Sequence, residues 1–227
     1  MFSLEIFIFV ENRFYYRLMF VDIHTHNTLH QKFPQIVNLS FEEAEKVFSG
    51  TINGSFSVGI HPWDAEQFSD KLMLDLEKWS SDSRFVAIGE CGLDKNSKVT
   101  MEVQLDVFKK QIDLSERIQK PLIIHCVGSF NELFEIKKLL KPKQLWIIHG
   151  FRGKPELAKQ VLKLNCALSF GEHFNPASVR ITPINKLFIE TDESHITIDS
   201  LYLQIAKIKE LDPNRLSAGE VLLNQLL

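Results

Sequence analysis

Eight short apolar, β-branched runs punctuate the chain, and most are separated by longer stretches of helical periodicity. The runs are FVDIHTH (20–26), QIVNLS (35–40), SFSVGIH (55–61), FVAIGECG (85–92), PLIIHCV (121–127), QLWIIHGF (144–151), NCALSF (165–170) and LFIETD (187–192). Residues 64–80, 101–119, 129–140 and 154–164 repeat apolar side chains every three or four positions, as in the stripe Leu105, Phe108, Ile112, Ile118. Pro121 and Pro142 supply helix stops. Such alternation argues for parallel strands joined by crossover helices, and eight strands argue for closure into a barrel. The expected fold is therefore α/β, a TIM-type (β/α)8 barrel. It should be trimmed near the first βα unit, because only eight residues separate the first two runs. FEEAEKVFSG leaves room for only a short helix after the second. The trimming fits a chain of 227 residues, below the ~250 usual for this architecture.

Polar groups fall at the ends of these runs. In FVDIHTHNT, strand alternation puts Asp22, His24 and His26 on one face and Val21, Ile23 and Thr25 on the other. Polar groups of this kind are costly to bury without partners. His61 closes the third run, Glu90 lies near the end of the fourth, and His125, His149 and Asp192 end the fifth, sixth and eighth. In a parallel barrel those ends meet at one rim, where this architecture builds its active sites. A single strand-end histidine is usually a satisfied structural residue. Five of the chain's eight, converging with two carboxylates, are not explained that way. Imidazoles with carboxylates form the N/O donor set that suits zinc or manganese, and magnesium where oxygen dominates. Four imidazoles, a glutamate and an aspartate suffice for two divalent ions, with a carboxylate such as Glu90 able to bridge. Two ions about 3.5–4 Å apart can clamp the attacking and leaving oxygens of a hydrolytic displacement. A net charge of −3 gives no global attraction for nucleic acid or an anionic membrane, so any polyanion must be gripped locally.

These residues carry a family resemblance. DIHTH resembles the opening D-x-H-x-H of the TatD family of metal-dependent deoxyribonucleases, within the amidohydrolase superfamily of (β/α)8 barrels. GIHPW is similar to its G-x-H-P, AIGECGLD to its A-I-G-E-x-G-L-D, and KPLIIHC to its P-x-x-x-H. IIHGFRG resembles its H-C-F-S-G, and LFIETDES its L-x-x-E-T-D-x-P. The motifs run in the family's order from about residue 20 to the end, most clearly to Ser194. The resemblance implies that His24, His26, Glu90 and Asp192 hold one ion, and that Glu90 reaches a second held by His125 and His149. It implies that Asp192 accepts the proton of the attacking water, with Glu90 the other catalytic carboxylate. The implied substrate is DNA, cut as by a 3′–5′ exonuclease at single-stranded or frayed ends. Asp22 would orient a ligand from behind, or simply satisfy backbone. His61 would touch a phosphate or the activated water, or be structural. Asp94 and Glu190 are read either as partners of ligands or as rim residues.

The substrate-facing residues depart from the family pattern. Val127 stands where an arginine usually follows the fifth-strand histidine, KNSK (95–98) replaces an aromatic and an arginine, and Trp63 and Ser194 replace a histidine and a proline. Arg152 is the candidate replacement cation for a phosphate, and Trp63 and Phe151 offer rings for a nucleobase. The alternative is a metal-dependent amidohydrolase or esterase acting on a small amide, lactone or aminoacyl ester. Residues 1–18 carry no secretory pattern and read as an N-terminal extension to a barrel over 19–227. No run approaches the ~20 apolar residues of a membrane span. Three widely spaced cysteines suggest reduced thiols, hence a cytoplasmic protein, and a monomer is the expected state. Cys91 and Cys126, each one position past a ligand, are read as packing residues.

Overall fold

A computed structural model describes residues 20–27 and 32–226, so the expected extension over 1–18 lies outside the described residues. Strands β1 (Asp22–Thr25), β2 (Gln35–Leu39), β3 (Ser55–Val58), β4 (Phe85–Asp94), β5 (Leu122–Val127), β6 (Trp146–Ile148), β7 (Ala167–Phe170) and β8 (Leu187–Ile189) pair in chain order. All pairings are parallel. A parallel bridge between Thr25 and Asp192 brings the last strand back to the first. The trimmed start is present: β1 and β2 pair without a crossover helix among the described residues. The helix after β2, α1 (Phe41–Ser49), is short and opens on a capping box between Ser40 and Glu43.

Helices α2 (Asp70–Trp79), α3 (Met101–Ile118), α4 (Phe130–Leu140), α5 (Pro155–Lys163), α6 (Pro176–Ile181) and α7 (Ile198–Lys209) follow successive strands. The stretch 64–80 is not one helix. A 3-10 turn over Pro62–Gln67 comes first, and α2 starts only after Ser69, whose extended backbone breaks the helical run. No described helix is long and apolar enough to cross a membrane.

Strand alternation sorts the core into two layers. Leu122, Ile124, Trp146, Ile148, Leu187 and Ile189 face the helices, while Ile123, Ile147 and Phe188 face inward. Both faces are buried, which is why these strands read as continuous apolar runs. The inward register continues two residues on to His125, His149 and Glu190. The alternation that fills the barrel therefore aims these groups into its carboxyl-terminal mouth. At the other end α8 (Ala218–Leu226) plugs the barrel: Leu222 and Leu223 join the inner cluster, and Lys120 Nζ donates to the Leu226 carbonyl at 3.5 Å.

One backbone approach fixes the β4–β5 edge of the site. Gly92 has φ +131°, and a Cβ there would stand 2.1 Å from the His125 carbonyl oxygen. Gly92→Ala should cost about 3 kcal/mol or more, through strain at positive φ plus forced separation of the strands. A fall in the thermal midpoint of roughly 6 °C or more would register it; an unchanged midpoint would show that the edge can yield.

Candidate metal centre

Glu90 sits at the middle of the mouth, and four imidazoles surround it. Its Oε1 is 2.7 Å from His24 Nε2, 3.1 Å from His149 Nε2 and 3.5 Å from His26 Nε2, while its Oε2 is 3.6 Å from His61 Nε2. Asp192 Oδ1 completes one side, 3.7 Å from His24 Nε2 and 3.6 Å from His26 Nε2. Tetrahedral bonds near 2.1 Å separate neighbouring donor atoms by about 3.4 Å. The His24, His26, Glu90, Asp192 set is spaced accordingly and lies within a common 4.8 Å span.

The chemistry of His24 tests the fit. Its ring is fully buried, yet neither nitrogen has a hydrogen-bond partner, and Nε2 meets Glu90 Oε1 at an angle that makes no hydrogen bond. An unsatisfied buried imidazole aimed at a carboxylate is a poor structural residue and a good ligand. The donor set fits a divalent ion.

His125 and His149 form the other side. His125 Nε2 lies 3.1 Å from Asp94 Oδ2, an acceptor that assigns the ring hydrogen to Nε2. The free lone pair is then on Nδ1, which faces His149 Nε2 at 3.4 Å. Those two ring nitrogens, beside Glu90, are consistent with a second ion position once the hydrogen shared between them is given up. Behind His149, Glu190 Oε1 stands 3.5 Å from Nδ1 and accepts from the Gly150 N–H at 2.5 Å. Asp94 and Glu190 thus each back a histidine. The sequence left that open, although both share a strand face with a candidate ligand.

His61 lies near enough to Glu90 and His125 to join a ligand cluster. Its hydrogen bonding argues otherwise. Nδ1 accepts from the Trp63 backbone N–H at 3.2 Å, which leaves the hydrogen on Nε2 and makes that atom a donor. Burial, reinforced by His125, pushes its pKa down to about 4, so the ring is neutral at physiological pH.

Asp22 does not reach an imidazole nitrogen. Its carboxylate accepts from the Thr191 backbone N–H at 3.0 Å and the Thr191 hydroxyl at 2.6 Å, tying β1 to the residue preceding Asp192. Burial pushes its pKa up to about 7 against the pull of those bonds. Thr191 carried no legible signal, since the contact spans 169 residues. Arg152 is exposed and lines a cleft of about 250 Å³ that also includes Asp192, Glu190 and His173. Trp63 is exposed at the rim. Phe151, in contrast, is buried against Phe130 and Phe170, so its ring is not available to a base. Cys91 and Cys166 are buried and Cys126 partly so, all as free thiols.

Burial alone would depress the His24 pKa, but Glu90 and Asp192 reverse this and hold it well above the usual histidine value. Burial likewise works upward on Glu90, yet His24, His26 and His149 hold its carboxyl well below the usual range. A proton held on His24 would have to leave before an ion could bind there. Loading with Zn²⁺ or Mn²⁺ at pH 7 should release about one proton, and affinity should rise with pH below the His24 pKa. Calorimetry in buffers of different ionisation enthalpy counts that proton; a buffer-independent heat would mean His24 gives none up.

The model of the family described as "TatD related DNase" matches residues 21–210. A metal-dependent hydrolase of Bacillus subtilis, YabD, is 33% identical over 150 residues, covering 62% of this chain and 59% of the relative. The 3′-5′ ssDNA/RNA exonuclease TatD of Cronobacter sakazakii is 27% identical over 177 residues, covering 69% and 65%. The chain thus spans somewhat under two thirds of the length of these two relatives. Among solved structures, the Escherichia coli TatD homologue YJJV superposes with a TM-score of 0.74 at 18% identity, covering 92% of this chain and 97% of that one. That likeness confirms the barrel fold.

Proposed function

The chain belongs to the TatD-related DNase family, and on that premise we propose that it is a divalent-metal-dependent hydrolase that cleaves phosphodiester bonds in DNA, working from single-stranded or frayed 3′ ends. The observation that carries this reading is the gathering of His24, His26, Glu90, His125, His149 and Asp192 about one carboxylate. The printed activity of the Cronobacter relative supports the choice of bond.

His24, His26, Glu90 and Asp192 would hold one ion, and Glu90, His125 and His149 a second, whether magnesium, manganese or zinc. When bound, such ions acidify water and stabilise charge on phosphoryl oxygens. Asp192 Oδ1, one-third exposed at the mouth, takes up the proton of the attacking water. Its pKa favours that role as a base: burial would raise it, but the His24 imidazole beside it holds it low, so the carboxylate is ionised. His61 donates from Nε2 to a phosphate oxygen while staying neutral. Arg152 pairs with a neighbouring phosphate along the cleft beside Asp192. All these groups come from one chain, so a monomer over 19–227 suffices. The three free thiols suit the reducing cytoplasm.

Asp192→Asn and His125→Ala should each lower kcat/KM on labelled single-stranded DNA by about 10²–10⁴-fold in the presence of Mg²⁺, Mn²⁺ or Zn²⁺. Mutants that match wild type would reveal a contaminating nuclease. Arg152→Ala should instead raise KM and flatten the salt dependence by about one phosphate contact, with kcat little changed.

One observation favours a second reading. Val127, in place of the family's arginine, is 37% exposed at the rim and offers no charge to a phosphate. A small amide, lactone or aminoacyl ester would tolerate it. Assaying such compounds beside oligonucleotides separates the two, since activity on phosphodiesters alone rules this reading out.

A further inference from the structure

Trp63 differs from the chain's other two tryptophans. Trp79 and Trp146 are buried, whereas Trp63 is 60% exposed. The exposure does not come from looseness. Its indole Nε1 donates to Asp94 Oδ2 at 2.8 Å, and its ring meets the His61 imidazole edge-on, with centroids 5.4 Å apart at 80°. Its backbone N–H is bonded to His61 Nδ1, and Pro62 stiffens the turn before it. The same Asp94 oxygen lies 3.1 Å from His125 Nε2. The indole is thus pinned along one edge, a single carboxylate away from a ligand imidazole. Among the described residues no other ring stacks on its face.

A large aromatic held rigidly at a wet rim supplies contact area at little entropic cost on binding. From this geometry we propose that Trp63 is the platform on which one unpaired nucleobase of the substrate stacks, beside the phosphate being cut. The proposal rests on the nucleic-acid reading of the site and specifies which residue grips the base. Every base presents a π face, so stacking here selects for the presence of a base and for an unpaired strand, with little preference among sequences. A paired base is already stacked and offers no face. Asp94 serves as the positioning residue, since it fixes both the indole and His125 through one oxygen.

The buried positions of Trp79 and Trp146 make Trp63 the tryptophan that responds to ligand at the surface, so emission reports on it directly. A short phosphorothioate oligonucleotide, resistant to hydrolysis, should quench that emission saturably. An abasic strand of equal length and charge should quench it weakly. By anisotropy of the labelled oligonucleotide, Trp63→Leu should weaken binding about tenfold or more, whereas Trp63→Phe should keep most of the affinity, separating the ring face from the N–H anchor. Equal quenching by both strands, or an unchanged ratio of their affinities in Trp63→Leu, overturns the platform. That outcome is distinct from failure of the nuclease reading, in which neither natural strand is hydrolysed with any divalent metal.

Discussion

The barrel is closed by the same hydrogen bonds that gather its acidic and imidazole groups. Asp192 N–H donates to the His24 carbonyl at 3.0 Å, and His26 N–H donates to the Asp192 carbonyl at 3.2 Å, with the Thr25 hydroxyl on the same oxygen. Asp22 and Thr191 add a side-chain clasp beneath, extended by the Thr191 hydroxyl to Thr25. β8 itself ends at Ile189, so the seam at the mouth is carried by the candidate ligands and their neighbours. Asp192 meets this demand in a left-handed conformation, φ +54°, which aspartate tolerates better than most side chains. Closing the sheet and bringing His24, His26 and Asp192 together are one structural event.

That seam allows an otherwise unfavourable cluster to form. Glu90 is buried among imidazoles that cannot all be satisfied by it, and His24 has no other partner at all. A proton on His24 would relieve part of the imbalance, but a single proton cannot answer four imidazoles converging on two carboxylates. Rigid strands hold the groups in place while the unmet valence persists, which is the condition for binding a cation without reorganising the protein. The outer carboxylates sharpen the aim. Asp94 sets the His125 tautomer, and Glu190, fastened by the Gly150 N–H, stands behind His149.

Much of this was legible because it is periodic or positional. Runs buried on both faces announced the eight strands, and a polar residue ending a run announced a place on the rim; His24, His26, Glu90, His125, His149 and Asp192 all follow. What resisted reading depends on contacts between distant parts of the chain or on atoms within a ring. The Asp22–Thr191 clasp joins the two ends of the barrel, and no spacing rule reaches that far. The donor character of His61 Nε2 follows from a backbone bond two residues away, visible only once the turn after Pro62 is built. Phe151 read as a rim aromatic because it follows His149, yet it turns outward between Phe130 and Phe170. The two-step division of 64–80 lies in the backbone of Ser69, where apolar periodicity carries no information.

Positive charge is sparse around the mouth of the candidate centre, where exposed Glu172 and Glu193 line the cleft beside Arg152. Val127 is apolar, and Lys95, next to it through backbone pairing, turns to Glu132 at 3.5 Å instead of remaining unpaired. Arg152 is left in the sector of β6 to β8, lining the cleft with Asp192, while Trp63 stands in the sector of β3 to β5 above Asp94. With a net charge of −3, the surface as a whole adds no long-range pull on a polyanion. If its substrate is a nucleic-acid strand, as proposed, a site with one guanidinium and one indole on different sectors of its mouth draws its grip from short-range contacts: ion, single phosphate and base. Such contacts are screened little by salt compared with an array of surface lysines. On the proposed platform role of Trp63, the base that stacks there has to be unpaired where the strand crosses the mouth. On the proposed nuclease reading, the apolar Val127 and the exposed indole of Trp63 act in the same direction, towards recognition of an unpaired end.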